Sequence, residues 1–200
     1  MIRLSCIFES SIGRHQLEDY VRELEITVFS FDVLGQEVTV GKIAATQVLW
    51  ANAENDGESF LHICDADSQG LCEVYRTLTN KKGEIRADLK TYDVVDHVIF
   101  VHRIVLHADL DFCRQGILEA VLTLFGETSL AVMWKDTGGY MEAELAELGF
   151  CKIAREKLIF RHSAFKTPFS EKHPRGQDVD FVAEREHEVW VLEQWGKDEK

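Results

Sequence analysis

The sequence predicts a single α/β domain over residues 1–200, α+β in arrangement, built as a mixed, centrally twisted sheet flanked by helices. Three observations carry this. Residues 97–106, HVIFVHRIVL, form a dense β-branched run with the length and composition of a central strand. From that run onward strand and helix patterns alternate up to residue 161, an order that favours a right-handed crossover between two parallel strands. Upstream, residues 23–33 and 37–50 read as two strands joined by a turn at Gly35 and Gln36, an antiparallel hairpin. With 46% hydrophobic and 28% charged residues, two prolines and no low-complexity tract, the composition is that of one ordered core.

The elements follow in order. Along the first hairpin strand Phe29, Phe31 and Val33 alternate with Ile26, Val28, Ser30 and Asp32, and the aromatic set is assigned to the core. The polar stretch 52–59, with the turn dipeptide Asp56-Gly57, breaks the chain. Leu71, Val74, Tyr75 and Leu78 share one helical stripe behind Asp67 or Ser68 as N-cap, and residues 80–83 stop that helix. Asp111 precedes an amphipathic helix carrying Phe112, Ile117, Val121, Leu122 and Phe125, which ends near Gly126. Residues 129–134 form a short apolar strand and Gly138-Gly139 a turn. Residues 140–148 form a helix with Leu145 and Leu148 inward, and residues 151–160 a last strand of this unit. In the tail, residues 187–195, HEVWVLEQW, are expected to add one more strand, with Trp190 and Leu192 against the sheet.

The net charge of −13 opposes nucleic-acid binding, because a phosphate backbone seeks clustered Lys and Arg. The expected partner is cationic, an amine or a basic protein. Charge is uneven: Lys152, Arg155, Lys157, Arg161, Lys166, Lys172 and Arg175 face only Glu156 and Glu171, whereas from Asp178 and Asp180 to Glu199 and Lys200 acids prevail. The first twenty residues lack a signal-peptide pattern, and no apolar run approaches the ~18 residues of a membrane span, so the expected location is cytoplasmic. Cys6, Cys64, Cys72, Cys113 and Cys151 are odd in number and contain no CxxC pair, which points to buried free thiols.

Two motifs go further. Phe112-Cys113-Arg114-Gln115-Gly116-Ile117-Leu118 lies between strand and helix, and Leu148-Gly149-Phe150 closes the following helix. With the element order over 97–161 they resemble the GNAT-type N-acetyltransferases; residues 163–200 form a C-terminal extension beyond the match. The resemblance implies a GNAT-like acyl-CoA N-acyltransferase fold, acetyl-CoA or another acyl-CoA as co-substrate, and transfer of the acyl group to an amine. It places the cofactor pyrophosphate on Phe112, Arg114, Gln115, Gly116 and Ile117. An anion there would meet backbone N–H groups and the positive end of a helix. It also makes His102 a base beside the thioester and Tyr140 the nearest acid. Four residue types depart from the family: Cys113 for an Arg or Gln, Leu118 for a small residue, Gly138 for an asparagine and Leu145 for the acid tyrosine. Leu118 is expected to crowd the pyrophosphate. These departures leave open an alternative of nearly equal weight, a non-catalytic regulatory or protein-interaction module on the same scaffold, with the acidic C-terminal segment as its contact surface.

His97, His102 and His107 recur every five residues, but an odd spacing alternates faces on a strand, so His102 points away from the other two and no metal site is read. The run from Asp65 to Gly70 begins like an EF-hand loop, yet its twelfth position is Arg76, which excludes calcium. No Walker loop, nucleophile elbow or dinucleotide fingerprint is present. Trp134 and Trp190 are expected in the core or at its rim.

Overall fold

Seven strands, β1 (Arg3–Glu9), β2 (Val21–Phe31), β3 (Glu37–Val48), β4 (His97–Leu106), β5 (Ser129–Trp134), β6 (Cys151–Lys152) and β7 (Leu158–His162), form one mixed sheet in the order β1-β2-β3-β4-β5-β7-β6. Neighbours are antiparallel except β4 and β5, which are parallel. Among the described residues the helices are α1 (Trp50–Asn55), α2 (Phe60–Asp67), α3 (Gln69–Leu78), α4 (Arg114–Thr123), α5 (Glu142–Glu147) and α6 (Arg185–Trp195). The computed structural model describes residues 1–9, 17–89, 95–126, 128–162 and 181–198. Lys166, Glu171, Lys172, Arg175, Asp178, Asp180, Glu199 and Lys200, part of the expected charge asymmetry, lie outside the described residues.

The expected hairpin forms. Asp32 accepts the N–H groups of Leu34 and Gln36, both at 2.8 Å, and Gly35 takes the left-handed φ of +76° that the turn needs. Its buried face is the reverse of the expectation: Ile26, Val28 and Ser30 are buried, Phe29 and Phe31 half-buried, and Val33 is exposed in the turn. Both alternating sets are largely apolar, so a period of two cannot choose between them. The compact aliphatic set packs under the helices, while Phe29 and Phe31 meet edge to face at 6.2 Å and Arg3 stacks on Phe31.

The sheet is covered on both faces. On one, Ile117, Leu118, Val121 and Leu122 of α4 and Leu145 of α5 pack on Leu24, Ile26, Ile43, Ile99, Val101, Ile104 and Met133. On the other, Trp50, Phe60, Ile63, Leu71, Val74 and Leu78 of α1–α3 pack on Val48, Val98, Phe100, Leu130, Val132 and Phe160. The helix expected after residue 68 is α3, and the Ser68 side chain accepts the Leu71 N–H at 3.2 Å, as an N-cap does. Asp65 and Asp67 belong to the preceding α2; β3 ends at Val48 rather than at residue 50, and α1 runs from Trp50 into the stretch 52–59 that the sequence reads as a break.

Two further elements correct the expectation. Residues 151–160 make two strands, because Arg155 enters the left-handed region at φ +69° and turns the chain between β6 and β7. Residues 187–195 lie inside α6 rather than in a strand. Leu192 is exposed, while Val191 and His187, four positions apart, are the buried stripe. This helix packs on β3 and β4, and its Trp195 ring carries Arg103 at 4.4 Å and Lys42 at 4.9 Å. Of the five free thiols, Cys64 and Cys72 are buried, Cys6 and Cys113 half-buried and Cys151 exposed.

β4 carries a bulge. Ala44 of β3 faces Arg103 and Ala45 faces Val101, so His102 is an extra residue. The bulge puts Ile99 and Val101 before it and Ile104 after it on the same face, with Leu106 packed against them. His97 and His107 consequently point to opposite faces, the reverse of what uninterrupted alternation gives. β4 and β5 stay paired only from His97–Ser129 to Val101–Met133; beyond that point they part.

Candidate functional site

The fork between β4 and β5 is where the sequence locates its chemistry, and it is flanked by the first turns of α4 and α5. An α-helix leaves its first N–H groups without intrahelical acceptors, and at α4 these belong to Arg114, Gln115 and Gly116. No atom lies within 4 Å of where a Gly116 side chain would begin, so a ligand has room there. Ile117 differs: its N–H is already bonded to the Cys113 carbonyl at 3.0 Å and its side chain is buried in the core. Leu118 points into the core and is fully buried, so it does not crowd the loop as its position in the sequence suggests. Phe112 is exposed and meets Phe181 at 6.2 Å.

The side chains of this loop are turned toward α5. Arg114 forms a bidentate ion pair with Glu144, lies 3.6 Å from Asp111 and stacks on the Tyr140 ring. Gln115 donates to Glu147 at 3.4 Å. Tyr140 is buried at 5% exposure and donates its hydroxyl to the Arg114 carbonyl at 3.0 Å. Burial pushes the phenol far above the ordinary range. Gly138, at φ +70°, is seated directly against β4: a Cβ there would lie 2.9 Å from the Ile104 Cβ and 2.9 Å from the Tyr140 ring. The groove between α4 and α5 is therefore bridged at its mouth by Arg114–Glu144 and at its floor by Gly138 and Tyr140.

Burial works to raise the Glu144 carboxyl, but hydrogen bonds from Arg114 and the Met141 N–H outweigh it and hold the group below the usual carboxylate range. A depressed carboxylate stabilises the fold above its unfolded value, and the contribution is lost as pH falls through the folded one. Glu144→Gln is accordingly expected to be less stable than wild type at pH 7, with the difference shrinking below about pH 4.3. Urea denaturation at both pH values checks this.

His102 stands exposed on the bulge, its ring 5.7 Å from Phe100, on the other side of the sheet from Tyr140. Although the side chain reaches solvent, partial desolvation by the surrounding protein and the neighbouring Arg103 lower its pKa, which favours the neutral imidazole at pH 7. The same side carries Glu23, whose carboxyl is raised by burial and which accepts from Thr46 at 3.1 Å. Thus the structure does not bring His102 and Tyr140 together.

A second cluster was not foreseen. At the end of β4, His107 and Asp109 meet His187 from the first turn of α6, and one potential ligand atom from each lies within 4.8 Å of the other two. The three line a cavity of about 550 Å³ with Phe181, Glu184 and Glu186. His187 lies 78 positions from Asp109, in a segment that the sequence reads as a strand, so no local signal announces the group. No helix among the described residues is long and apolar enough to cross a membrane. Comparison of the chain with protein-family models, curated proteins and solved structures gives no match in any of the three.

Proposed function

We propose that the chain is a non-catalytic, GNAT-like module that binds a cationic partner, a basic protein segment, through its acidic C-terminal helix. The observation that carries this is the bridged groove. A pantetheine arm running from the α4 N-terminus into the β4–β5 fork would have to displace Gly138 and Tyr140 and break Arg114–Glu144. The carboxylates of Asp111 and Glu144 also neutralise Arg114, the one cation in the loop. The outward side of α6 supports the binding role. It exposes Val189 and Leu192 beside Glu186 and Glu193, an apolar strip with acidic flanks and Arg185 at its N-terminal end, which complements a basic amphipathic segment.

One set of titrations tests the reading. A ligand at 100 times its Kd stabilises its receptor by about 2.7 kcal/mol, so acetyl-CoA or a longer acyl-CoA bound at micromolar affinity would raise the melting temperature clearly at ~1 mM. The expected result is no shift. A Lys/Arg-rich amphipathic peptide is expected to bind, more weakly in high salt and not at all to Val189→Asp/Leu192→Asp. A shift with acyl-CoA would instead favour the second reading, N-acylation of an amine. That reading is supported by the neutral His102 on its bulge and by the parting of β4 and β5 beside it.

A further inference from the structure

The His107–Asp109–His187 cluster lies outside the β4–β5 fork and is used by neither reading above. We infer that it is a binding site for a borderline divalent transition-metal ion of the Zn²⁺ type, held by His107, the Asp109 carboxylate and His187 Nε2, with a coordination position open to the adjoining cavity. Asp109 Oδ2 is 2.9 Å from His187 Nε2 and 3.6 Å from His107 Nδ1. Ligands at Zn–N and Zn–O distances of 2.0–2.2 Å stand about 3.0–3.5 Å apart around an ion, so these two separations bracket the required value and the His107–His187 pair lies within 4.8 Å. The first contact is also a hydrogen bond and His107 Nδ1 also accepts the Asp109 N–H at 3.3 Å, interactions that a bound ion replaces.

The donors come from two places far apart in the chain, the turn after β4 and the start of α6. His107 directly follows β4, Asp109 lies in the 3₁₀ turn Ala108–Leu110, and His187 is in the first turn of α6. The His107 ring is fixed edge to face against Trp190 at 5.0 Å and against His187 at 4.4 Å. The His187 ring is buried, and its Nδ1 lies 2.8 Å from the Glu184 N–H and 3.0 Å from the Glu184 carbonyl. It can therefore accept from the first when Nε2 carries the proton, or donate to the second when Nε2 binds a metal. A backbone carbonyl receiving the far N–H of a ligating imidazole is the usual outer-shell support.

The chemistry of the set narrows the ion. Two imidazoles and one carboxylate suit Zn²⁺ and its first-row neighbours rather than Mg²⁺ or Ca²⁺, which take oxygen ligands. Three protein ligands leave a tetrahedral ion one position short, and the cavity lies on that side, with Glu184 and Glu186 on its wall. Those carboxylates add to the attraction for a dication.

The test is equilibrium dialysis of the full chain against Zn²⁺ with metal analysis, together with Co²⁺ absorption. One Zn²⁺ per chain at micromolar or tighter Kd and visible Co²⁺ bands are expected for wild type. Asp109→Asn and His107→Gln are each expected to lose at least about tenfold in affinity. Because His187 is buried at the start of α6, its variants are expected to destabilise that helix; the exposed Asp109 provides the decisive one, with replacement of the exposed His62 of α2, His62→Ala, as a control expected to bind like wild type. Failure to bind stoichiometrically, or binding unchanged in both Asp109→Asn and His107→Gln, overturns the assignment.

Discussion

Gly138→Ala is expected to lower the stability of the chain by about 2–5 kcal/mol, from two separate costs. An L-residue held at φ +70° pays roughly 1–2 kcal/mol. The new methyl would also lie 2.9 Å from both the Ile104 Cβ and the Tyr140 ring, and overpacking of that kind costs about 1–3 kcal/mol. Its neighbour supplies the internal control. Gly139 has a similar φ of +67° but no atom within 4 Å of its Cβ position, so Gly139→Ala should pay only the backbone cost. The difference between the two variants in urea denaturation measures how tightly the turn is seated on β4. Equal effects would mean that the groove floor is not closed by this contact.

Glu119→Ala is expected to be comparably damaging, by about 3 kcal/mol, the low end for a broken buried pair because Glu119 keeps some contact with solvent. Arg161 of β7 is 3% exposed, and Glu119 of α4 accepts from both ends of its guanidinium at 2.5 and 2.9 Å. Removing Glu119 takes the bidentate acceptor away from a buried guanidinium, which costs more than the pair itself contributes. Replacing both is a different experiment: Glu119→Met/Arg161→Met should recover most of the loss, because hydrophobic residues of similar volume need no compensation. Calorimetric melting of the single and double variants distinguishes the two cases, and a double variant as unstable as Glu119→Ala would refute the argument.

The parts of the fold that were legible in the sequence are those where one local signal is unopposed. The β-branched run 97–106 and the apolar run 129–134 coincide with β4 and β5 because their composition permits little else, and Ser68 caps α3 where the spacing of Leu71, Val74 and Leu78 requires a start. Leu145 and Leu148 are buried as their helical positions imply. Where signals compete, tertiary packing decides. The tail run with Val189, Trp190 and Val191 has strand-forming composition, yet it lies across the face of the sheet, where one buried stripe at His187 and Val191 suffices. The turn at Arg155 carries no glycine to mark it, so one strand was expected where two short ones form.

The candidate sites divide in the same way. The residues around α4 were identifiable because they follow one another along the chain, but the partners of their side chains were not. Arg114 finds Glu144, 30 positions on, and Tyr140 finds the Arg114 carbonyl, 26 positions back. The histidine cluster needs both a strand end and the tail, and its spacing in sequence is noise. The same bulge that defeated face alternation along β4 also delivered His107 to the α6 side.

That bulge has a consequence for how this protein tolerates change. A substitution at His102 leaves the count of residues in β4 intact, and the strand keeps its partners on both sides. Loss of one residue anywhere between Val101 and Arg103 would instead remove the extra position itself. Arg103 would then follow Val101 in regular register opposite Ala44 and Ala45, and Ile104, Leu106 and His107 would keep the faces they have. β4 thus carries one spare residue, and variation in related chains should tolerate loss of His102 more readily than loss of a residue on either side of it, which turns the side chains between the gap and the bulge to the wrong face.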